Sequence, residues 1–187
     1  QIHSNKIYLV NNKNIKNEYF GDGIITSNKN LAIGVLTADC APIFMFDLQN
    51  SIICCLHSGW KGSLLNIVEK GVKKLKLNQK IKNTNIVAVV GPCLGSKNFE
   101  VNKNFKSKFI KKRKIYGKFF KTKNLNKDLF DLRKMINYQL KKAGVRSIYN
   151  INRDTYKYSD IFFSHRRACH QNKTETGRMI NIISLKY

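Results

Sequence analysis

The chain has 187 residues, of which 35 are Lys or Arg and 11 are Asp or Glu, giving a formal net charge of +24. Its hydrophobic content of 42% is enough for one globular domain with its own core, which excludes a disordered tail or a disulfide-stabilised miniprotein. The sequence has no apolar stretch near the roughly 20 residues that a membrane span requires. We therefore expect a single domain over residues 1–187 with no membrane partner.

The positive charge invites comparison with nucleic-acid-binding proteins, but its distribution does not favour that function. Basic residues are dispersed along the chain, and Asn and Ile are abundant beside Lys, which indicates a bias of the whole composition. No zinc-finger, RNP or basic-zipper pattern accompanies the charge, so a nucleic-acid partner is not expected. The 5 cysteines are an odd number, and two of them are adjacent. We expect no disulfide framework, and hence a reduced, cytoplasmic protein.

Apolar patterns in the first half of the chain alternate between strand and helix. Short apolar runs predict strands at 31–36, 43–46 and 51–56, with a break at 37–42 where Pro42 is expected to stop ladder pairing. After the turn at 57–62, Ser63 is expected to cap a helix that carries apolar residues at helical spacing as far as Leu75. A further strand is predicted at 86–90.

The second half continues the alternation. A second amphipathic helix is predicted over Lys127 to Ala143, and Gly144 is expected to end it. Strands are predicted at 161–164 and 179–185. Without repeats, linkers or low-complexity blocks, these elements predict a single α+β domain of mixed β-sheets flanked by helices.

Residues able to bind a metal follow the ends of predicted strands. Cys40 lies in the break after the first of them, and His57 directly follows the strand at 51–56, so a thiol and an imidazole can lie at the same sheet edge. His3 is a third candidate. A Cys-His-His set with one open position is typical of a catalytic zinc. By spacing alone, however, a buried Cys and two unrelated His are the commoner outcome.

Several motifs occur in order over nearly the whole chain: Gln1-Ile-His3, Asp22, Leu36-Thr-Ala-Asp-Cys-Ala-Pro42, His57-Ser-Gly-Trp-Lys-Gly62, Gly91-Pro-Cys-Leu-Gly95, Phe99-Glu-Val101, Phe162-Phe-Ser-His-Arg-Arg167 and Thr176-Gly-Arg178. Together they resemble the laccase-domain family, also called polyphenol oxidase-like or multicopper-oxidase-like, which contains bacterial purine nucleoside phosphorylases. Family members usually have a further N-terminal segment before the first motif, and this sequence does not contain it.

The resemblance implies a zinc enzyme that phosphorolyses adenosine, inosine and methylthioadenosine, with adenosine deamination as a second activity. It implies His3, Cys40 and His57 as the metal ligands. An open position on such a zinc could activate water or polarise a bound nucleoside. The implied partners are a purine nucleoside and phosphate.

Basic and aromatic residues in the same motifs are candidates for substrate binding. The turn after Gly59 offers backbone N–H groups and Lys61 to a phosphate, and guanidinium groups add further donors. Trp60 is positioned to stack on a purine, although local packing explains it equally well. The complete set is Trp60, Lys61, Arg166, Arg167 and Arg178.

Two residues are candidates for the chemistry itself. Asp39 can act as a general base or orient a ligating histidine, or it can simply cap a turn. Cys93 can be a nucleophile or line the site, or it can be a small apolar residue in a tight turn. His165 stands where the family commonly has an aromatic residue, so packing or substrate lining is favoured over metal ligation.

Two departures from the family pattern bear on these roles. Asp154 stands where the family commonly has Cys, and Lys61 stands where Arg is frequent, which loses bidentate recognition of an anion. Two other functions stay open. One is a copper-dependent polyphenol oxidase that uses the same three ligands, since four histidines are too few for a multi-copper cluster together with a blue-copper site. The other is a non-catalytic nucleotide- or RNA-binding module.

Overall fold

A computed structural model describes residues 1–47, 49–79 and 85–185 of the chain. The strands in these ranges are β1 (Ile7–Leu9), β2 (Gly23–Thr26), β3 (Ala32–Thr37), β4 (Ala41–Asp47), β5 (Ile52–Ser58), β6 (Val87–Val90), β7 (Glu100–Asn102), β8 (Phe120–Thr122), β9 (Lys127–Phe130), β10 (Ser147–Asn150) and β11 (Met179–Ser184). The helices are α1 (Trp60–Leu64), α2 (Ile67–Gln79), α3 (Lys103–Lys112), α4 (Leu132–Lys142) and α5 (His165–His170), with a 3₁₀ helix at Lys114–Phe119.

The strands form a mixed sheet and two smaller antiparallel sheets. The main sheet has the order β1-β2-β5-β4-β6-β10, in which β1 is parallel to β2, β6 is parallel to β10, and the other neighbours are antiparallel. Strand β11 pairs with β3, and β9 lies between β7 and β8. This arrangement confirms the predicted α+β class with mixed sheets.

Strand β5 lies between β2 and β4 in the main sheet and is buried along its whole length. Its alternate side chains point to opposite faces of the sheet. Ile52, Cys54 and Leu56 join the main core, which includes apolar residues of α2 and α4. Ile53 and Cys55 join a smaller cluster with residues of β3. Burial on both faces explains the continuous apolar run of this strand in the sequence.

The structure corrects the expected effect of Pro42. The residue lies inside β4, opposite His57 of β5, and does not end the strand. It precedes Ile43, where the pairing of β4 with β6 begins, so its missing N–H removes no bond from that ladder. Its carbonyl accepts a hydrogen bond from the N–H of Gly91 at 2.9 Å.

The structure also corrects the predicted helix after β5. The helix begins at Trp60, with Gly59 as its N-cap, and Ser63 lies inside α1. The Ser63 hydroxyl is buried and lies 2.9 Å from the Ser58 hydroxyl. Asn66, with φ at 60°, separates α1 from α2. A left-handed residue cannot continue an α-helix, so one predicted helix becomes two.

Two further predictions were wrong in part. Residues 127–130 form β9 and not the first turn of a helix, since burial alternates along them with a period of two. Helix α4 starts after Asp131, whose carboxylate accepts a hydrogen bond from the N–H of Lys134 at 2.8 Å. It ends as predicted at Gly144, which has φ at 90°. The segment 161–164 is not a strand but a turn that leads to Ser164, the N-cap of α5.

None of the helices in the described ranges has the length and apolar character needed to cross a membrane.

Candidate active site

Three potential metal ligands converge at one edge of the main sheet. Cys40 immediately precedes β4, and His57 lies near the end of β5, opposite Pro42. The antiparallel register therefore brings the thiol and the imidazole together. His3 comes from the segment before β1, and its ring packs edge-on against His57 with centroids 4.9 Å apart. The potential ligand atoms of these residues all lie within 4.8 Å of one another.

The side chain of Gln1 attaches the segment that carries His3 to strand β3. The amide of Gln1 donates to the carbonyl of Leu36 at 2.8 Å and accepts from the N–H of Leu36 at 2.7 Å. The amide side chain thus satisfies one backbone donor and one acceptor of β3. This pairing fixes the approach of His3, whose φ of 55° lies in the left-handed region.

One buried carboxylate positions two of the three potential ligands. Asp22 accepts hydrogen bonds from the backbone N–H groups of Ile2, His3 and Ser4 at 3.3, 3.0 and 2.5 Å, and from the Ser4 hydroxyl at 2.7 Å. Its other contact is with Nδ1 of His57 at 2.8 Å. Because Nδ1–H donates to a carboxylate, Nε2 of His57 is left unprotonated, as a metal ligand must be.

Burial and hydrogen bonding set the protonation of this pair. Burial by itself would raise the pKa of Asp22, but the hydrogen bonds from Ser4 and His57 outweigh it and hold the pKa below its usual value. Burial lowers the pKa of His57 despite the neighbouring Asp22 carboxylate. The pair is therefore an ionised carboxylate and a neutral imidazole near neutral pH.

The thiol of Cys40 depends on a cation to ionise. Burial, followed by the neighbouring carboxylate of Asp39, raises its pKa to about 12. Without a cation it is a neutral thiol. A metal ion at this position supplies the positive charge that makes the thiolate favourable, and metal binding releases the thiol proton.

Gly59 leaves room for the Cys40 sulfur. A Cβ atom at this position would lie 2.6 Å from Sγ of Cys40 and 3.6 Å from Cδ2 of His3. The backbone of Gly59 is extended, with φ at −82°, so the close approach and not the conformation requires glycine.

The three potential ligands face a cleft of about 840 Å³. This is within the usual range for small-molecule sites, about 300–1,000 Å³. Apolar and aromatic side chains form much of its wall, including Leu94, Phe99, Phe105 and Leu132. Its charged and hydrogen-bonding groups include Asp39, Lys61, Glu100, Asn102, Lys127, His165, Arg166 and Arg178.

Trp60 forms part of the cleft wall beside its basic neighbours. Its ring packs on Phe105, with centroids 5.0 Å apart, and it is partly buried against the main core. The ammonium of Lys61 lies 5.6 Å from the ring centroid, and that of Lys108 lies 6.0 Å from it. The structure thus places two of the predicted substrate-binding residues, Trp60 and Lys61, in the cleft.

The predicted arginines differ in position. Arg166 and Arg178 line the cleft. The Arg166 guanidinium lies over Phe99 and donates to the carbonyl of Glu100 at 2.9 Å. Arg167 is not among the lining residues. Its guanidinium donates to backbone carbonyls of the preceding loop, those of Thr155, Tyr156 and Phe162.

Asp39 lines the cleft, and its carboxylate is hydrogen-bonded to groups other than His3 and His57. Its carboxylate accepts from the Thr155 hydroxyl and from the Arg166 N–H, both at 2.6 Å. Its φ of 78° is in the left-handed region. Asp39 therefore links the loop beside Cys40 to the start of α5, and it is Asp22 that orients His57.

Cys93 is buried, 1% exposed, and is not a lining residue of the cleft; it forms an isolated bridge with Asp154. Burial raises the pKa of its thiol to about 12. Asp154 accepts hydrogen bonds from the Gly95 N–H at 2.9 Å, the Asn98 amide at 2.7 Å and the Tyr156 N–H at 3.0 Å. The carboxylate thus stands where the family commonly has Cys and fastens the loop after β6.

Sequence reasoning gave no role to Asp22 or to the wall residues Phe99 and Glu100. Asp22 stood alone among the motifs, without neighbours whose pattern would suggest a function. The signal that could have found it is a carboxylate directly before the short apolar stretch that forms β2, because β2 pairs with the strand that carries His57.

Comparison with known proteins identifies the family of this chain. The sequence profile of a family described as multi-copper polyphenol oxidoreductase laccase matches residues 1–186. The chain belongs to this family. A laccase-like family suggests a metal, and the His3–Cys40–His57 cluster is a possible site for it.

Several relatives of this laccase-like chain are named for an enzymatic activity. A protein of Rickettsia prowazekii named purine nucleoside phosphorylase is 33% identical over 187 residues, which is all of this chain and 76% of the relative. One of Campylobacter jejuni with the same name is 32% identical, over all of this chain and 75% of the relative. The structure of the hypothetical protein YfiH of Bacillus licheniformis has a TM-score of 0.90 at 28% identity, covering 100% of this chain and 72% of that one.

Proposed function

We propose that this protein is a zinc-dependent purine nucleoside phosphorylase that acts on adenosine, inosine and methylthioadenosine, deaminates adenosine as a second activity, and works in the cytoplasm. The observation that carries the proposal is the convergence of His3, Cys40 and His57 within 4.8 Å at a cleft lined by Trp60 and basic side chains. The names of its relatives support the activity.

The donor set fits zinc. One thiolate and two imidazoles are ligands that zinc prefers, and three protein ligands are typical of a catalytic site. When held by these three residues, the ion would supply Lewis acidity at the cleft. The protein's own part is to hold the ligands in place: Asp22 fixes the tautomer of His57 and the backbone of His3, and Gly59 gives the sulfur room.

The basic residues of the cleft suit a nucleoside and phosphate. We assign phosphate binding to Lys61, Arg166 and Arg178, which line the cleft on the same side of the molecule as the ligands. Trp60 contributes an aromatic face for the purine. Asp39 would act on the reaction by positioning Arg166 through its backbone N–H. For Arg167 and Cys93 we propose a supporting role, because neither lines the cleft.

Phosphorolysis and deamination are separated by their products. Purified protein is incubated with adenosine, with and without phosphate, and the products are resolved by chromatography. We expect adenine and ribose 1-phosphate only with phosphate, and some inosine in both cases. The Cys40→Ala variant should lose bound zinc and both products together.

The same preparation tests the alternatives. Retained turnover in a zinc-free Cys40→Ala protein would contradict the metal-dependent function. Absence of nucleoside products from a folded, zinc-loaded protein, together with oxygen uptake on a phenol when copper is loaded, would support the oxidase function instead. The described residues bring together a single cluster of three potential ligands, which suits one metal ion better than a multi-copper centre.

A further inference from the structure

A second pair of metal-ligating side chains lies in the same cleft, on α5. His165 and Cys169 are four residues apart, so they project from the same face of the helix. Nε2 of His165 lies 3.6 Å from Sγ of Cys169. Both side chains are exposed and both line the cleft. Neither belongs to the His3–Cys40–His57 cluster.

The separation of the two atoms suits a shared metal ion. In a tetrahedral zinc site, with Zn–S about 2.3 Å and Zn–N about 2.0–2.1 Å, the sulfur and nitrogen ligands lie about 3.6 Å apart. The observed distance equals this value. Two ligands already at the right spacing need little rearrangement when the ion binds.

Helix α5 holds the pair in a fixed position although it is short. Its first turn is fastened from both sides, since the Arg166 N–H donates to Asp39 at 2.6 Å and the Arg167 N–H donates to the Ser164 hydroxyl at 3.1 Å. The Arg167 guanidinium adds bonds to carbonyls of the preceding loop, including that of Thr155 at 2.8 Å. The backbone that presents the pair is thus preorganised.

We propose that His165 and Cys169 form a second binding site for a thiophilic divalent cation of the zinc type. On binding, Sγ of Cys169 loses its proton to solvent and coordinates the cation together with Nε2 of His165, and water fills the other positions. With two protein ligands, this site is weaker than the three-ligand one.

The position of the site gives it a regulatory effect. A cation held by His165 and Cys169 occupies cleft space next to Arg166, to which we assign phosphate binding. Zinc beyond the first equivalent therefore inhibits turnover by restricting access to the cleft. This consequence rests on the proposed function, whereas the binding itself does not.

Cobalt and zinc titrations test the site. Co²⁺ is added to the metal-free protein while thiolate-to-cobalt absorption is followed, and Zn²⁺ stoichiometry is measured by equilibrium dialysis. The variants are Cys169→Ser, His165→Gln and Cys40→Ala. His170→Gln is the matched control, since His170 is an exposed histidine of the same helix whose Nδ1 lies 2.9 Å from the Tyr156 hydroxyl.

We expect the wild type and His170→Gln to bind a second equivalent, with cobalt–thiolate absorption. Cys169→Ser and His165→Gln should weaken that second equivalent at least tenfold, and Cys169→Ser should remove the inhibition by excess zinc. Cys40→Ala should lose the tight equivalent and keep the weak one. Saturation of the wild type at one equivalent, or a second equivalent unchanged in Cys169→Ser, would overturn the proposal. The absence of nucleoside turnover in the zinc-loaded wild type would count against the proposed function alone.

Discussion

Replacing Gly59 with alanine tests whether the space beside Cys40 is needed for metal binding. The added Cβ would lie 2.6 Å from Sγ of Cys40, whereas ordinary contact begins at 3.4 Å. Relief of this overlap requires a displacement of about 0.8 Å, because the repulsive wall of the contact is steep. Metal–ligand distances tolerate only about 0.2 Å. The alanine methyl and a metal-bound Cys40 therefore compete for the same space.

We expect Gly59→Ala to weaken zinc binding by at least about tenfold, which is the lower end of the effect of disturbing residues around a metal site. Stability of the metal-free protein should fall by about 1 kcal/mol, the lower end for overpacking, because the thiol is free to turn away. Zinc affinity is measured by competition with a chromogenic chelator, and stability by denaturant unfolding of the metal-free protein.

Gly62→Ala is the matched control on the same helix. A Cβ at Gly62 would lie 3.4 Å from Cγ2 of Ile67 and from the carbonyl of Ser4, at the edge of ordinary contact. Alanine also favours the helix over glycine by about 1 kcal/mol. This variant should keep its zinc affinity. Wild-type zinc affinity and an unchanged cobalt spectrum in Gly59→Ala would refute the reasoning.

Three further substitutions separate positioning, structural and electrostatic roles. Asp22→Asn should weaken zinc binding about 10- to 100-fold in the chelator competition, because the amide cannot accept all the hydrogen bonds that the carboxylate accepts; unchanged affinity would contradict its positioning role. Arg167→Ala should lower the free energy of unfolding by about 2 kcal/mol, since partly buried carbonyls lose their donor. A rise in the KM for phosphate without any loss of stability would instead indicate that Arg167 binds phosphate. Lys103→Met should cost about 2 kcal/mol in urea unfolding because it leaves the buried carboxylate of Asp128 unpaired, whereas Lys111→Met on the same helix should change stability by less than about 0.5 kcal/mol.

Hydrophobic periodicity predicted the elements in which the pattern of buried residues is regular from one end to the other. Strand β5 has a continuous apolar run, and helix α4 has an apolar stripe followed by a glycine that ends it. Prediction failed where tertiary contacts decide the local structure. Residues 127–130 are apolar enough for a helix but become a strand between β7 and β8, a pairing that no local pattern shows.

The grouping of the three candidate ligands could be predicted from the sequence, and the residues around them could be predicted less well. His3, Cys40 and His57 were found because chemistry and motif coincide, and the structure brings them together. The function of Asp22 depends on hydrogen bonds to groups 18 to 35 residues away in sequence. Likewise, Arg167 does not line the cleft because its guanidinium binds backbone carbonyls of the preceding loop. Such pairings are set by the fold, and no regular spacing of residues in the sequence reveals them.

The attachment of residues 1–6 couples metal binding to the local folding of this segment. This segment precedes β1 and is held by three side-chain contacts and one backbone hydrogen bond. The side-chain contacts are Gln1 to Leu36, Asp22 to the backbone around His3, and the Asn5 amide to the carbonyl of Leu65 at 2.7 Å. The backbone bond runs from the N–H of Asp22 to the carbonyl of Lys6 at 3.0 Å. Segments held in this way open more readily than sheet strands. A metal ion can bind His3 only when the segment is closed. Metal binding therefore lowers the population of the open segment, and with it the rate of proteolysis near residue 3. Amide hydrogen exchange at Ser4 should slow when zinc is added and return to its fast rate with a chelator.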